Sequence, residues 1–183
     1  MSFNSGISVI QELTYILPEV IMTLGLLLVI ILTVVGHRKT TVENNAIMLV
    51  SLGTTGLALG ALITSPYFSM VQQLGTGYAL YGSLSTSFFA VLFRGLILAG
   101  LFITILLSHT YLKRYTRVVG DYYALVMGAS LGAMVLCSAA DLVTLFVGLE
   151  TLSIPSYILA GYLRKSRITT EASFKYLVYG SVA

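Results

Sequence analysis

The sequence predicts an all-α fold, a polytopic transmembrane helix bundle, and three observations carry that prediction. Of 183 residues, 57% are hydrophobic and only 9% are charged, an apolar share above the range of ordinary soluble domains. The apolar residues fall into five runs long enough to cross a bilayer, whose core of roughly 30 Å takes about 20 helical residues. Eight of the ten basic residues gather in short clusters between those runs, not over one face or in a tail. That is a topology signal, not a nucleic-acid surface.

The first run covers about 15–35. The residues before it contain no Lys or Arg and no A-x-A-like site follows it, so it is a retained span and not a cleaved signal peptide. Further spans are expected at about 46–65, 88–109, 122–140 and 142–163. A sixth begins near Glu171, but only about 13 residues remain to Ala183, too few to cross. The expectation is one membrane domain, 1–183, with five complete spans and the start of a sixth. Arg38 and Lys39, then Lys113, Arg114 and Arg117, then Arg164, Lys165 and Arg167 occupy alternate loops, on one side of the membrane. The other side carries no basic residue except Arg94, a little inside span three. The positive-inside rule then puts the N-terminus outside. The outer loop at 66–87 mixes Tyr67, Phe68, Tyr78 and Tyr81 with Gly, Ser and Thr, a composition suited to the headgroup level.

Chemistry concentrates on Glu150, about nine residues and roughly 13 Å into span five, near the midplane. A central acidic residue carries an insertion penalty of about 2.5–3.5 kcal/mol, so it needs a partner, water or its proton. Burial favours the neutral carboxyl and a nearby cation favours the carboxylate, and a group held between them can exchange a proton. Alternatively Glu150 stays protonated and hydrogen-bonds a neighbouring helix. Ser153 and Tyr157 follow at i+3 and i+7, a polar stripe that must face protein or water. Pro155 removes a backbone donor and crowds the Thr151 carbonyl, predicting a bend, with Ser153 or Ser156 hydroxyls or water filling in; membrane helices also tolerate proline without consequence.

Lys175 follows Glu171 at i+4 in the favourable order, and on geometry alone it snorkels to the cytoplasmic surface. Arg94 reads as an interfacial anchor on the outer side. Asp121 and Asp141 stand at span ends as caps or interface residues, His37 and His109 lack ligand-like company, and Cys137 reads as packing. No phosphate loop, nucleophile with base, or metal-ligand spacing appears. The expectation is no cofactor, no metal and no catalytic redox site in this chain.

The stretch from Leu136 to Ala183 resembles the signature region of the subunit N (subunit 2) family of proton-pumping NADH-quinone oxidoreductases, the respiratory complex I type. The matching residues are Asp141, Gly148, Leu149, Glu150, Ser153, Tyr157, Gly161, Tyr162, Glu171, Ala172, Lys175 and Tyr176. "ILPEVIMTLGLLL", around Pro18 and Glu19, is similar to that family's first span. "SFFAVLFRGLIL" departs from a segment that usually starts with Asp, since Thr86 and Ser87 stand there, and no role is carried onto it.

The resemblance implies an antiporter-like fold with a charged axis along the membrane centre. On it, Glu150 is the switchable carboxylate of proton translocation, coupled to a lysine on a later broken helix, and Lys175 tunes that pair. It also implies an N-terminal fragment of a subunit that moves protons as quinone is reduced elsewhere, as part of a proton-translocating NADH:quinone oxidoreductase. Other membrane subunits and the lipid bilayer would be its partners, with quinone used by the complex but not bound here. The expected location is the cell inner (plasma) membrane, multi-pass, with thylakoid or mitochondrial inner membrane as further possibilities. The alternatives are an antiporter-like subunit of a multisubunit sodium/proton antiporter or membrane-bound hydrogenase, and a structural or assembly subunit without transport.

Overall fold

Backbone amides in a lipid core find no water, so each apolar run must close its own hydrogen bonds as helix. The computed structural model describes residues 9–35, 41–64, 78–115, 119–162 and 167–182. It contains α1 (Val9–Val35), α2 (Thr41–Thr64), a hairpin of β1 (Tyr78–Ala79) and β2 (Leu84–Ser85), then α3 (Phe88–Tyr115), α4 (Gly120–Ser138), α5 (Leu142–Ala160) and α6 (Arg167–Val182). Five stretches are long and apolar enough to cross a membrane: Thr14–Val35, Glu43–Thr64, Phe88–Leu112, Gly120–Ser138 and Leu142–Ala160. The chain is therefore a multi-pass membrane protein built as an all-α helix bundle. Arg38, Lys39, Arg117, Arg164 and Lys165, which carry most of the loop-charge reading, lie outside the described residues, as do Tyr67 and Phe68.

α4 is the hub, packing against α1, α2, α3 and α5, while α6 packs on α5. The core around it is apolar, with Met22, Leu98, Ile105, Tyr123, Met127 and Met134 all fully buried. Small hydroxyls inside it bond their own helix: Ser51 Oγ donates to the Met48 carbonyl at 2.8 Å and Thr55 Oγ1 to that of Ser51 at 3.0 Å. Those bonds let polar residues lie inside the bundle without an interhelical partner.

The apolar run predicted to 140 stops as a helix at Ser138. Ala139 turns to an extended conformation and bridges Leu84, and the Ala140 N–H donates to the Ser83 carbonyl at 2.9 Å. The hairpin, whose turn uses Gly82 at φ 94°, is thereby stapled to the α4–α5 corner. Asp141 caps α5 there, accepting from the Thr144 N–H at 2.6 Å. That N–H, then the Thr144 hydroxyl and more weakly Ser83, hold the exposed Asp141 carboxyl below its ordinary range. A depressed carboxylate contributes stability that is present above its unfolded pKa and lost as pH falls through the folded value. The protection factor at Thr144, exchange measured against the intrinsic rate at each pH, is accordingly expected to fall under acid in the native protein. Asp141→Asn, which still caps, is expected to keep a protection factor independent of pH over that window.

Two glycines set the α4–α5 approach. A Cβ on Gly148 would meet the Leu136 backbone nitrogen at 2.8 Å, and one on Gly132 would overlap the Thr151–Leu152 backbone. Neither obstacle is a flexible side-chain end, so the helices pack backbone to backbone, as small residues permit in membranes. Gly148→Leu is expected to destabilise the bundle by about 1–3 kcal/mol through overpacking, read as a lower unfolding midpoint in detergent. A midpoint equal to the native one would refute the close approach.

Candidate functional site

The α4–α5 contact positions Glu150. It lies two residues beyond Gly148 and one before Thr151, which backs onto Gly132, so its depth and rotation are set by a backbone-to-backbone helix contact. Its side chain is half-buried. Among the described residues it has no ion pair and no side-chain hydrogen bond. Ser153 and Tyr157, the predicted polar stripe, are half-buried with it. α5 stays helical through Pro155. Ser156 Oγ donates to the Leu152 carbonyl at 2.7 Å, and Thr151 Oγ1 to that of Val147 at 2.7 Å, so the hydroxyls serve carbonyls on either side of the one that proline crowds.

Tyr157 ties α5 to α6. Ser173 Oγ donates to its carbonyl at 2.7 Å, and its ring meets that of Tyr176 edge-on at 4.9 Å. Lys175 sits beside Tyr176, and Tyr157 is seven residues, about 10 Å of helical rise, from Glu150. The lysine pairs instead with Glu171 at 2.7 Å, both groups well exposed. Glu150 and Lys175 are therefore not joined directly. The flank around them is apolar and open: Leu142, Val143 and Phe146 on α5, and Phe174, Tyr179 and Val182 on α6, are all exposed. A groove lined by Ile158, Gly161, Thr170, Ser173, Phe174 and Leu177 separates the two helices.

A second charged group lies on the other side of α4. Arg94 Nε stands 2.8 Å from Glu19 Oε1, with side chains 1% and 9% exposed. The Arg94 guanidinium lies 4.1 Å over the Tyr15 ring and its Nη1 reaches the Tyr15 carbonyl at 3.5 Å. Arg94 is not an interfacial anchor: the surface that would let it snorkel is occupied by α1. Equal depth was the signal in the sequence, because Glu19 is five residues into its span and Arg94 six into its own, about 8 and 9 Å by helical rise. Cys137, read as packing, is half-buried and donates to the Met134 carbonyl at 3.2 Å. Among the described residues no three His, Cys, Asp or Glu side chains gather as metal ligands would.

The family described as "NADH:quinone oxidoreductase/Mrp antiporter, TM" matches residues 139–183, which contain Glu150 and Lys175 but neither Glu19 nor Arg94. The chain is 34% identical over 168 residues to NAD(P)H-quinone oxidoreductase subunit 2 of Prochlorococcus marinus subsp. pastoris, covering 92% of this chain and 31% of the relative. It is 36% identical to the protein of the same name from a Synechococcus species, covering 90% and 30%. With the Synechocystis subunit 2 it shares 34% over 183 residues, covering 99% and 33%. The chain thus spans about a third of the length of the curated relatives it matches.

Proposed function

We propose a function from the premise that this chain belongs to the antiporter-like membrane-subunit family of NADH:quinone oxidoreductases: it serves in an NAD(P)H-quinone oxidoreductase, in a plasma or thylakoid membrane, and moves protons as quinone is reduced elsewhere in the complex. One observation carries the reading. Glu150, a carboxylate near the middle of a spanning helix, is held by backbone-to-backbone helix contact yet has no ion-pair partner among the described residues. An intramembrane carboxylate in that state awaits a cation, water or a proton. The open apolar flank of α5 and α6 suits further membrane helices, which would bring the cation. The N-terminus faces outside on the loop charges, and the redox chemistry belongs to other subunits.

Lys175 acts as a tuning cation on this reading, exposed on the same flank and loosely held by Glu171. Lys175→Gln is expected to slow proton movement while leaving some of it, and Lys175→Arg to restore most of the loss, both measured in proteoliposomes against the rate of quinone reduction. The experiment that tests the function itself uses the native complex in sodium-free proteoliposomes. Quinone reduction is expected to drive proton movement there. A strict sodium requirement, or quinone reduction with no proton movement, would overturn it.

A further inference from the structure

The Glu19–Arg94 pair is more deeply buried than Glu150, and its polar atoms are incompletely satisfied. The 2.8 Å contact is a single one, off the N–H direction that a hydrogen bond needs, and Glu19 Oε1 and Oε2 and Arg94 Nε and Nη2 all lack a hydrogen-bond partner. Two side chains more than nine-tenths buried, with four polar atoms aimed into one place, describe a site for internal water, because buried groups of this kind are bridged by ordered waters when protein supplies no partner. The place is polar, set by opposite charges 2.8 Å apart beside the Tyr15 ring.

The surroundings extend the site toward one end of the bundle. The Tyr15 hydroxyl donates to the Ser85 carbonyl at 2.6 Å, and the adjoining Thr86 is buried at 4% exposure. Ser83 then reaches Asp141, the exposed cap of α5. Polar atoms therefore run from the buried pair through the hairpin to a surface carboxylate, at the end that the loop charges assign to the outside. Toward α5, α4 stands between the pair and Glu150: Leu136 abuts Gly148, while its neighbour Cys137 approaches the Ala90 carbonyl of α3, one turn from Arg94, at 4.0 Å.

We propose that Glu19, Arg94 and Tyr15 hold internal water and form the outward end of the proton path. Glu19 takes a proton from a water on the inner side and passes it to a water on the hairpin side, so that each proton accepted is matched by one released and no other reactant is consumed. Arg94 on α3 faces Glu19 directly, with the Tyr15 ring of Glu19's own helix stacked on the guanidinium. The path rests on the function proposed above, whereas the water site does not.

The test has two readings on the full complex. Hydroxyl radicals generated in water by a short X-ray pulse, with peptide mass spectrometry, are expected to oxidise Tyr15, which is 3% exposed, and to spare Met127, which is 0% exposed. An unlabelled Tyr15, or equal labelling of Met127, overturns the water site. In Glu19→Met/Arg94→Met, which removes both charges at similar volume, the Tyr15 label and proton movement are expected to be lost while quinone reduction continues. Proton movement at the native rate in that variant overturns the path. If instead Glu150→Gln pumps normally, the function reading fails, and Tyr15 labelling in the native complex still decides the water site.

Discussion

Glu150→Gln in the native complex is expected, on the function proposed above, to abolish proton movement coupled to quinone reduction while leaving the complex assembled. Assembly is kept because Glu150 contributes no ion pair and no side-chain hydrogen bond to the described fold, and its helix is held by Gly132, Gly148 and the Asp141 cap. Gln matches Glu in shape and keeps a polar tip, so packing changes little, but it can neither carry charge nor take up a proton. The energetics of a switch are adequate at this site. Moving one charge through 100 mV takes about 2.3 kcal/mol. A cation brought within about 4 Å of a carboxylate attracts it by about 4 kcal/mol at an effective dielectric of 20. One approaching lysine is therefore enough to move the carboxyl between its two states. The check is acidification in proteoliposomes normalised to quinone reduced, with subunit content followed on native gels. Native pumping at native content would remove Glu150 from the mechanism.

The spans were legible because lipid leaves the backbone one economical solution, and length plus hydropathy register it directly; α1 to α5 stand on the five apolar runs. Helix ends were less legible. The run through Ala140 gave no warning that α4 breaks at Ser138, since the break is made by Ser83 and Leu84, some fifty residues away, and a one-dimensional hydropathy pattern carries no tertiary pairing. Glu150 was visible because a lone acid at the centre of a span is costly by position alone. Glu19 and Arg94 were harder to read: each lies nearer a span end, where a single long side chain can reach the interface, and only their pairing across α1 and α3 reveals the burial. Gly148 could be read as part of a motif, yet its physical use, admitting the Leu136 backbone, appears only once α4 is in place.

Breaking the Glu19–Arg94 pair from one side is expected to destabilise the bundle by about 3–5 kcal/mol, the usual effect of leaving one buried charge without its partner. The two single variants should differ. In Glu19→Met, Arg94 remains at 1% exposure as a guanidinium that cannot shed its charge, and the Tyr15 ring beneath it offers only about 0.5–2 kcal/mol of cation–π attraction. In Arg94→Met, the remaining carboxyl can take up a proton and become neutral, which limits the damage. Glu19→Met is therefore the worse of the two. The double variant Glu19→Met/Arg94→Met should recover most of the loss, because a buried ion pair replaced by apolar groups of similar volume is often neutral in stability. The surrounding cluster of Tyr15, Leu62, Leu84 and Val91 is already apolar and would receive the two thioethers. Unfolding midpoints of the complex in detergent, with subunit yield in membranes, give the ranking. Equal stability of Glu19→Met and the native protein, or a double variant no better than either single one, would mean that the pair is not closed off from bulk solvent as its burial describes.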